Sequence, residues 1–488
     1  MKPEKSNKTK KRRLSWLVIF SLTLIVSLLA QERFRKSPPA PFPLPPLNIK
    51  PIESVKLSNG LQVSLFSQPD LPFTHLDLII MTGETLSPDN LPGLATMTTR
   101  MIGLETRQLS SEKIKETIEL LGGSFQAQTY LDYSSLTLEV LADYTDKALA
   151  LFQQFLLSPS FNLKVFDQLK REIYYDLVRK SINSEFLAKR LLFQLLFNNH
   201  PYRKIAFTRD DIRKIQLKDV KMFFDQYILP NNSRIIFIGN LDLKTAAKKT
   251  SQALFSWKKR PLATTTFSPP LPATKIKIGL IHLPQRKDVT IYLGNVVFPK
   301  SKKDNFAYSV LSHILGGNTY SRLFLRLRET KGYAYYAFSE FELLKNCGLF
   351  TVRARVRPEV LEESLQEIFA VLREIIIDQK VANYELEQAK SFLIGRMPVE
   401  LESLNNLAFR LTSMSIYGYG NEYWQKYYAN IMEVTPDDVF QVGQNSALLT
   451  PIITLSGDKE IISNHLKSLS IDLYDLNGQY LSTLKKGD

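Results

Sequence analysis

The sequence predicts an α+β fold of two homologous domains, each a mostly antiparallel sheet with helices packed on one face. Strands and helices recur in the same order in both halves, and a segment rich in Pro and Thr, residues 260–274, separates the halves. The chain of 488 residues is also too long for one ordinary core. We therefore expect domains at residues 51–259 and 275–488, joined by that linker.

The predicted elements support a duplication. Each half contains an alternating strand, a helix, another strand, a long helix and a closing strand that ends in glycine. Leu136 precedes its counterpart Phe350 by 214 residues, and Gly239 precedes Gly457 by 218 residues, so the offset is nearly constant. The predicted strands are 75–83, 134–140, 233–239, 289–299, 348–354 and 451–457, and the predicted helices are 93–102, 145–157, 306–315 and 358–376.

The N-terminus predicts membrane targeting. A basic cluster at residues 10–13 precedes an unbroken run of apolar or small residues within the segment 1–30. A membrane anchor and a cleaved signal peptide both remain open, because the run is shorter than the ~20 residues that span a bilayer, while the bulky Leu28 suits a cleavage site poorly. A proline-rich spacer follows at residues 31–50. Either alternative places the body outside the cytoplasmic membrane: held at its surface, or free in the periplasm or secreted.

The charge balance does not indicate nucleic-acid binding. Residues 1–13 hold seven Lys or Arg and one Glu, so they supply +6 of the net charge of +15. The remaining chain is mildly basic and contains no arginine-aromatic stripe or nucleic-acid motif. A solvated surface is the expected role of these charges.

The imidazole and thiol groups predict neither a metal site nor a nucleophile. No two histidines lie within one helical turn of each other, whereas metal sites need clustered donors. Cys347 has no histidine nearby in sequence and no second cysteine with which to form an intramolecular disulfide. The histidines are His75, His200, His282, His313 and His465.

Residues 93–101 read GLATMTTRM and resemble the G-L-A-H-x-x-E-H-M helix of the insulinase, pitrilysin and mitochondrial processing peptidase family, the inverted zincins. In that helix two His bind zinc and the Glu activates water. Here Thr96, Thr99 and Arg100 occupy the three functional positions. A hydroxyl is a poor zinc ligand and a guanidinium repels the ion, so the resemblance implies a degenerate site without a metal.

The resemblance extends over residues 52–460. It includes LSNGLQV at 57–63, the Leu-Gly-Gly at 121–123 and Asn-His-Pro-Tyr at 199–202. It implies that the strand after Leu-Gly-Gly is an edge to which substrate peptides add. The implied contact residues are Phe125, Gln126 and Ala127.

The position of the family's third zinc ligand, a Glu on a later helix, falls on Asp176. One interpretation is a vestigial ligand. The alternative that we favour is a buried ion pair between Asp176 and Arg100.

The second half keeps a motif of the active family members. Residues 327–335 resemble the L-R-E-x-x-G-x-x-Y stretch, and the resemblance implies that Arg328 and Tyr335 hold the substrate backbone and stabilise a developing oxyanion. The competing interpretation is that Arg328 forms a surface pair and Tyr335 fills the core.

These features predict a non-catalytic, substrate-binding subunit of a two-chain metalloprotease. The expected partners are a zinc-bearing homologous subunit, an unfolded peptide, and the membrane through the N-terminal segment. One alternative is a structural or assembly protein with no role in proteolysis, and a second is a self-sufficient peptidase with an unconventional site.

Overall fold

The computed structural model describes residues 50–262, 265–299, 301–379, 381–444, 447–465 and 468–485. The predicted anchor or signal segment and all of the spacer except residue 50 lie outside the described residues. Among the residues that are described, no helix is both long enough and apolar enough to cross a membrane.

Two β-sheets organise the described part of the chain, one of six strands and one of seven. The strands of the first sheet are β1 (Glu53–Lys56), β2 (Gln62–Ser67), β3 (Phe73–Ile80), β4 (Ser124–Thr129), β5 (Ser134–Leu141) and β6 (Ser233–Gly239). Those of the second are β7 (Lys277–His282), β8 (Val289–Val297), β9 (Ala334–Leu343), β10 (Gly348–Val356), β11 (Ile452–Gly457), β12 (Ile471–Tyr474) and β13 (Tyr480–Leu484).

Helices connect these strands in both halves. The first half contains α1 (Leu94–Met101), α2 (Ser111–Leu120), α3 (Thr145–Leu157), α4 (Leu163–Lys180), α5 (Ser184–Phe197), α6 (Arg209–Lys214), α7 (Leu217–Tyr227) and α8 (Leu243–Leu254). The second half contains α9 (Lys302–Gly316), α10 (Arg322–Phe324), α11 (Leu361–Ile376), α12 (Asn383–Glu402), α13 (Leu404–Tyr417), α14 (Asn421–Gln425), α15 (Tyr427–Met432), α16 (Pro436–Gln444) and α17 (Lys459–Asn464).

Five strands of each sheet share one topology, whereas beyond them β1 is antiparallel to β2 and β12 is parallel to β7. The strand orders are β1-β2-β6-β3-β5-β4 and β13-β12-β7-β11-β8-β10-β9. The parallel pair β2 and β6 corresponds to the parallel pair β7 and β11, and the antiparallel pairs that follow in each sheet also match. The α+β architecture of two similar units is therefore confirmed, while the boundaries predicted at 259/260 and 274/275 stay predictions.

The expectation that helices cover only one face of each sheet is wrong. Helix α5 from the first half packs on β8 and β11 of the second sheet, and α13 from the second half packs on β3 and β6 of the first sheet. The two halves thus exchange helices. Because both faces are covered, β8 is buried along its whole length, which is typical of a strand inside a three-layer arrangement.

Candidate functional site

Helix α1 begins beside a buried carboxylate. Glu84 accepts hydrogen bonds from the backbone N–H of Gly93 (2.5 Å) and from the backbone N–H (3.3 Å) and hydroxyl (2.9 Å) of Thr96. The first N–H groups of a helix lack partners inside it, so a carboxylate stabilises this end. Burial raises the pKa of Glu84, and the hydrogen bonds oppose that shift. Gly93 has φ +91°, and a Cβ there would lie 2.8 Å from the Phe207 ring.

The hydroxyl of Thr99 binds to the neighbouring strand. It donates to Oγ of Ser134 (3.1 Å), which donates to the carbonyl oxygen of Thr82 (2.8 Å). Both hydroxyls that replace functional groups of α1 are therefore engaged in structural hydrogen bonds, that of Thr96 with Glu84 and that of Thr99 with β5.

Arg100 and Asp176 form an ion pair, with Nη1 3.4 Å from Oδ2. The pair is not buried as expected, because the side chains are 32% and 35% exposed. Asp176 also contacts Arg179, and Arg100 lies 3.8 Å from Glu172, so the charges form a small surface network on α4. Such exposed pairs contribute ~0–1 kcal/mol to stability.

This donor set does not fit zinc. The Thr96 hydroxyl donates a hydrogen bond to Glu84. Arg100 places a fixed positive charge at a position where the family has an imidazole. Among the described residues, no group of three or more His, Cys, Asp or Glu side chains could hold a metal ion. Cys347 is buried, and burial raises the pKa of its thiol, which therefore stays protonated and unreactive.

A cavity of about 510 Å³ lies between the two halves and reaches Glu84 and Thr96. Its lining is aromatic and acidic, and burial raises the pKa of two lining carboxyls, Asp132 and Glu342. A mostly apolar cavity with a few polar groups suits an organic or peptide ligand. The tyrosines that line it are Tyr130, Tyr133, Tyr417, Tyr419 and Tyr423.

Two residues hold this region together, and the sequence predicted a structural role for neither, although Tyr202 ends the Asn-His-Pro-Tyr segment at 199–202. Tyr202 is fully buried, and its hydroxyl donates to Asp132 (3.1 Å) in the first half and accepts from the backbone N–H of Asn346 (3.1 Å) in the second. Glu84 is the other. An acidic residue shortly before a helix that begins at glycine was an available signal for it, whereas nothing in the local sequence identifies the partners of Tyr202.

Strand β4 is an edge of the first sheet. Within the described residues it pairs with β5 alone, so its other edge is unpaired. Phe125 and Ala127 are half-buried, and the Phe125 ring packs 5.0 Å from that of Phe155, while Gln126 is exposed on the opposite face. The structure thus places the three expected contact residues on a free edge, and their binding of substrate stays a prediction.

Arg328 and Tyr335 lie at the start of β9, the edge of the second sheet. Arg328 belongs to the π-helical turn Leu325–Thr330 and donates a hydrogen bond to the carbonyl oxygen of Tyr335. The side chains are 45% and 56% exposed, so Tyr335 is not core filler. Arg328 does form the surface pair of the competing interpretation, with its Nε 3.8 Å from Oε1 of Glu329. Neither Arg328 nor Tyr335 lines the cavity that contains Thr96, so the structure does not bring this pair together with α1.

Comparison with known proteins yields two family matches in succession along the chain. Residues 62–207 match the family described as Insulinase (Peptidase family M16). Residues 214–393 match the Peptidase M16 inactive domain. Together these matches span most of the described chain.

Curated relatives include proteins with and without a named peptidase activity. "Non-peptidase homolog YmxG" of Helicobacter pylori is 26% identical over 351 residues, covering 72% of this chain and 80% of the relative. "Zinc protease PqqE" of the same organism is 26% identical over 367 residues, covering 73% and 81%.

Solved structures show the same fold. A peptidase M16 inactive domain from Pseudomonas fluorescens has a TM-score of 0.76 at 24% identity, covering 85% of this chain and 98% of that one. A protease from Helicobacter pylori has a TM-score of 0.78 at 21% identity, covering 83% and 99%.

Proposed function

This chain belongs to the insulinase family, peptidase family M16, and we propose that it is the subunit of a two-chain protease that binds peptide and supports catalysis by a zinc-bearing partner. The observation that carries the proposal is a contrast within one chain. The residues at the metal position are engaged in structural hydrogen bonds and an ion pair. Arg328 and Tyr335 are 45% and 56% exposed and lie outside the internal cavity, although Arg328 also donates to the Tyr335 carbonyl oxygen and pairs with Glu329.

The chemistry of Arg328 and Tyr335 suits a site completed by a second chain. A guanidinium and a phenol are donors for a carbonyl oxygen that gains negative charge. Within the described chain the Tyr335 hydroxyl has no hydrogen-bond partner and remains available. The names of the two Helicobacter pylori relatives support a pairing of this kind, since one organism has a zinc protease and a non-peptidase homologue.

The free edge of β4 supports the peptide-binding part of the proposal. An unpaired edge offers main-chain donors and acceptors to an extended peptide, which adds as another strand. This edge lies beside α1, against which β4 packs.

The proposed location is outside the cytoplasmic membrane, with the N-terminal segment as anchor or signal. The support is the basic cluster followed by the apolar run. Cell fractionation with N-terminal sequencing tests it: a membrane-bound chain that keeps residue 1 is anchored, and a mature start near Gln31 shows a cleaved signal. An intact chain in the cytoplasm contradicts both.

The test of the subunit role is coexpression of the full chain with a family member that carries an intact H-x-x-E-H motif. We expect a stable complex that hydrolyses peptides faster than the partner alone, and less than stoichiometric zinc in the full chain purified by itself. A partner that is equally active without this chain would favour the structural alternative. Peptide hydrolysis by this chain alone would favour the self-sufficient peptidase.

A further inference from the structure

A groove of about 830 Å³ lies on the surface of the first half, where α7 meets the C-terminal end of α3, the N-terminal end of α4 and residues 256–260. Its apolar lining includes the buried side chains of Phe224, Ile228 and Trp257. Four cationic side chains and one carboxylate complete the lining, so positive charge is in excess. We name it the basic groove. The cations are Arg107, Lys221, Lys258 and Arg260, and the acid is Asp225.

The four cationic side chains are free to bind an anion. Each is exposed, and none lies within 4.0 Å of a carboxylate oxygen among the described residues. The Arg260 guanidinium donates to the backbone carbonyl oxygen of Asp225 (2.5 Å), and Lys258 lies 5.8 Å from the Phe255 ring centre. Like charges on one surface repel each other, and a bound anion would relieve that repulsion.

The surroundings of the basic groove combine cations with exposed apolar side chains. Residues 242–260 contain six Lys or Arg and one Asp. Phe255 is 64% exposed, and Met222, next to Lys221, is 60% exposed. Surfaces that bind the membrane interface combine these two features, because apolar side chains enter the acyl boundary while cations are attracted to anionic lipids. The exposed apolar side chains thus favour a lipid surface over an acidic protein partner.

The basic groove lies close in sequence to the N-terminal segment. The amide of Asn59 donates to the carbonyl oxygens of Leu254 and Trp257 (3.2 Å each). Asn59 is nine residues from Lys50, the first described residue, and nine residues span at most ~32 Å. The predicted spacer, residues 31–50, would span up to ~60 Å as a polyproline II helix. This length of chain permits contact between the groove and the membrane that residues 1–30 target.

We propose that the basic groove binds the anionic phosphate headgroups of that membrane. Guanidinium and ammonium groups donate to phosphate oxygens, and Phe255 and Met222 add apolar contact. An N-terminal anchor would raise the effective concentration of lipid at the groove, so weak individual contacts suffice. Docking would hold the body at the bilayer surface. This inference rests on the proposed location at the membrane and not on the role in proteolysis.

The test uses the full chain reconstituted into phosphatidylcholine vesicles with or without phosphatidylglycerol, and a fluorophore on Gln252→Cys, at an exposed position of α8. Cys347 is buried, so the label attaches to the introduced thiol. A quencher on the lipid headgroup reports the docked fraction. We expect strong quenching with phosphatidylglycerol and little without it. Lys221→Gln with Lys258→Gln should lower the ratio of docked to undocked chain about 30-fold.

The matched control is Lys275→Gln with Arg373→Gln, at exposed positions outside the groove, and it should preserve the quenching. High salt should reduce the quenching, because it screens exposed charges. Equal quenching in the two kinds of vesicle, or an unchanged ratio in the groove variant, would overturn this inference and leave the proposed location to the fractionation test. If vesicles fail and a Glu-rich peptide binds only the unsubstituted groove, the occupant is an acidic protein and the membrane proposal is wrong.

Discussion

Five strands of each sheet share one topology, but the two sheets differ beside the edge strands β4 and β9. In the second sheet, Arg353 and Arg355 fill the space between the edge and the exchanged helix, and Glu185 pairs with both. In the first sheet, the same space is a pocket of about 210 Å³ with the carboxylate of Asp77 and no Lys or Arg among the described lining residues. Duplication thus produced one closed and one open copy. The first sheet therefore keeps open a space that ion pairs occupy in the second.

We expect the largest loss of stability from changes in the exchanged helices, a feature that both copies have in common. Leu411 of α13 and Leu192 of α5 are buried against opposite sheets. Leu411→Ala and Leu192→Ala should each lower the free energy of unfolding by about 2–5 kcal/mol, because each leaves a cavity. Urea denaturation measures this, with Leu120→Ala at an exposed position as the control. A loss of unfolding free energy below ~1 kcal/mol in either core variant would contradict the view that the exchanged helices stabilise the fold.

The next prediction concerns the pH dependence of stability and compares helices α1 and α9, which follow equivalent strands. Only α9 of these two contains a histidine: His313 is buried, and burial together with the charge of Arg396 lowers its pKa to about 4. Between pH 6.5 and 4 the unfolded chain binds a proton that the folded chain does not, so stability falls as the pH decreases through that range.

We expect this contribution to be on the order of 2–3 kcal/mol, measured as the amount by which His313→Asn changes the difference in unfolding free energy between pH 7 and pH 4.5. The difference should be smaller in His313→Asn and unchanged in His465→Asn, which alters an exposed histidine. Equal pH dependence in the wild-type protein and His313→Asn would show that His313 titrates normally.

We expect the smallest changes in stability from single substitutions that compare the edge regions of the two sheets directly. Glu185→Gln should cost ~1 kcal/mol, because the ion pairs with Arg353 and Arg355 are weakened at partly exposed positions. Glu139→Gln in the first sheet should cost less than half of that, since its contact with His75 is 3.5 Å long. Thermal or urea unfolding of the two variants gives the comparison. Equal costs would remove the distinction between a closed and an open copy.

The sequence predicted the elements better than their packing. The predicted helix 145–157 and strand 233–239 have the observed bounds, because apolar periodicity and terminal glycine are local signals. The exchange of α5 and α13 was not predicted, since which sheet an amphipathic helix covers is a tertiary property. The burial of β8 on both faces was not predicted either, since its sequence includes Thr290, Gly294 and Asn295 and is not a continuous apolar run.

The candidate site was predictable in part for similar reasons. The spacing of the motifs predicted that Arg100 pairs with Asp176 and that Phe125 lies on an edge strand. It did not give the exposure of the ion pair or the role of Glu84, because both depend on which segments pack around α1. The pocket of about 210 Å³ between the first sheet and α13 was not predicted, since Thr412 meets His75 and Gln128 only through the exchanged helix.

In the proposed two-chain protease, Arg328 and Tyr335 serve the chemistry of the partner subunit. The direct measurement is peptide turnover by the reconstituted two-chain complex with Arg328→Ala or Tyr335→Phe in this chain. Loss of a donor to a developing oxyanion should lower kcat on the order of 10²-fold, with complex formation and Tm preserved. Arg373→Ala and Tyr480→Phe, at other exposed positions, are the matched controls and should retain full turnover. Unchanged turnover in both test variants would contradict the claim, and so would a lost complex or a much lower Tm, which would show the pair to be architectural.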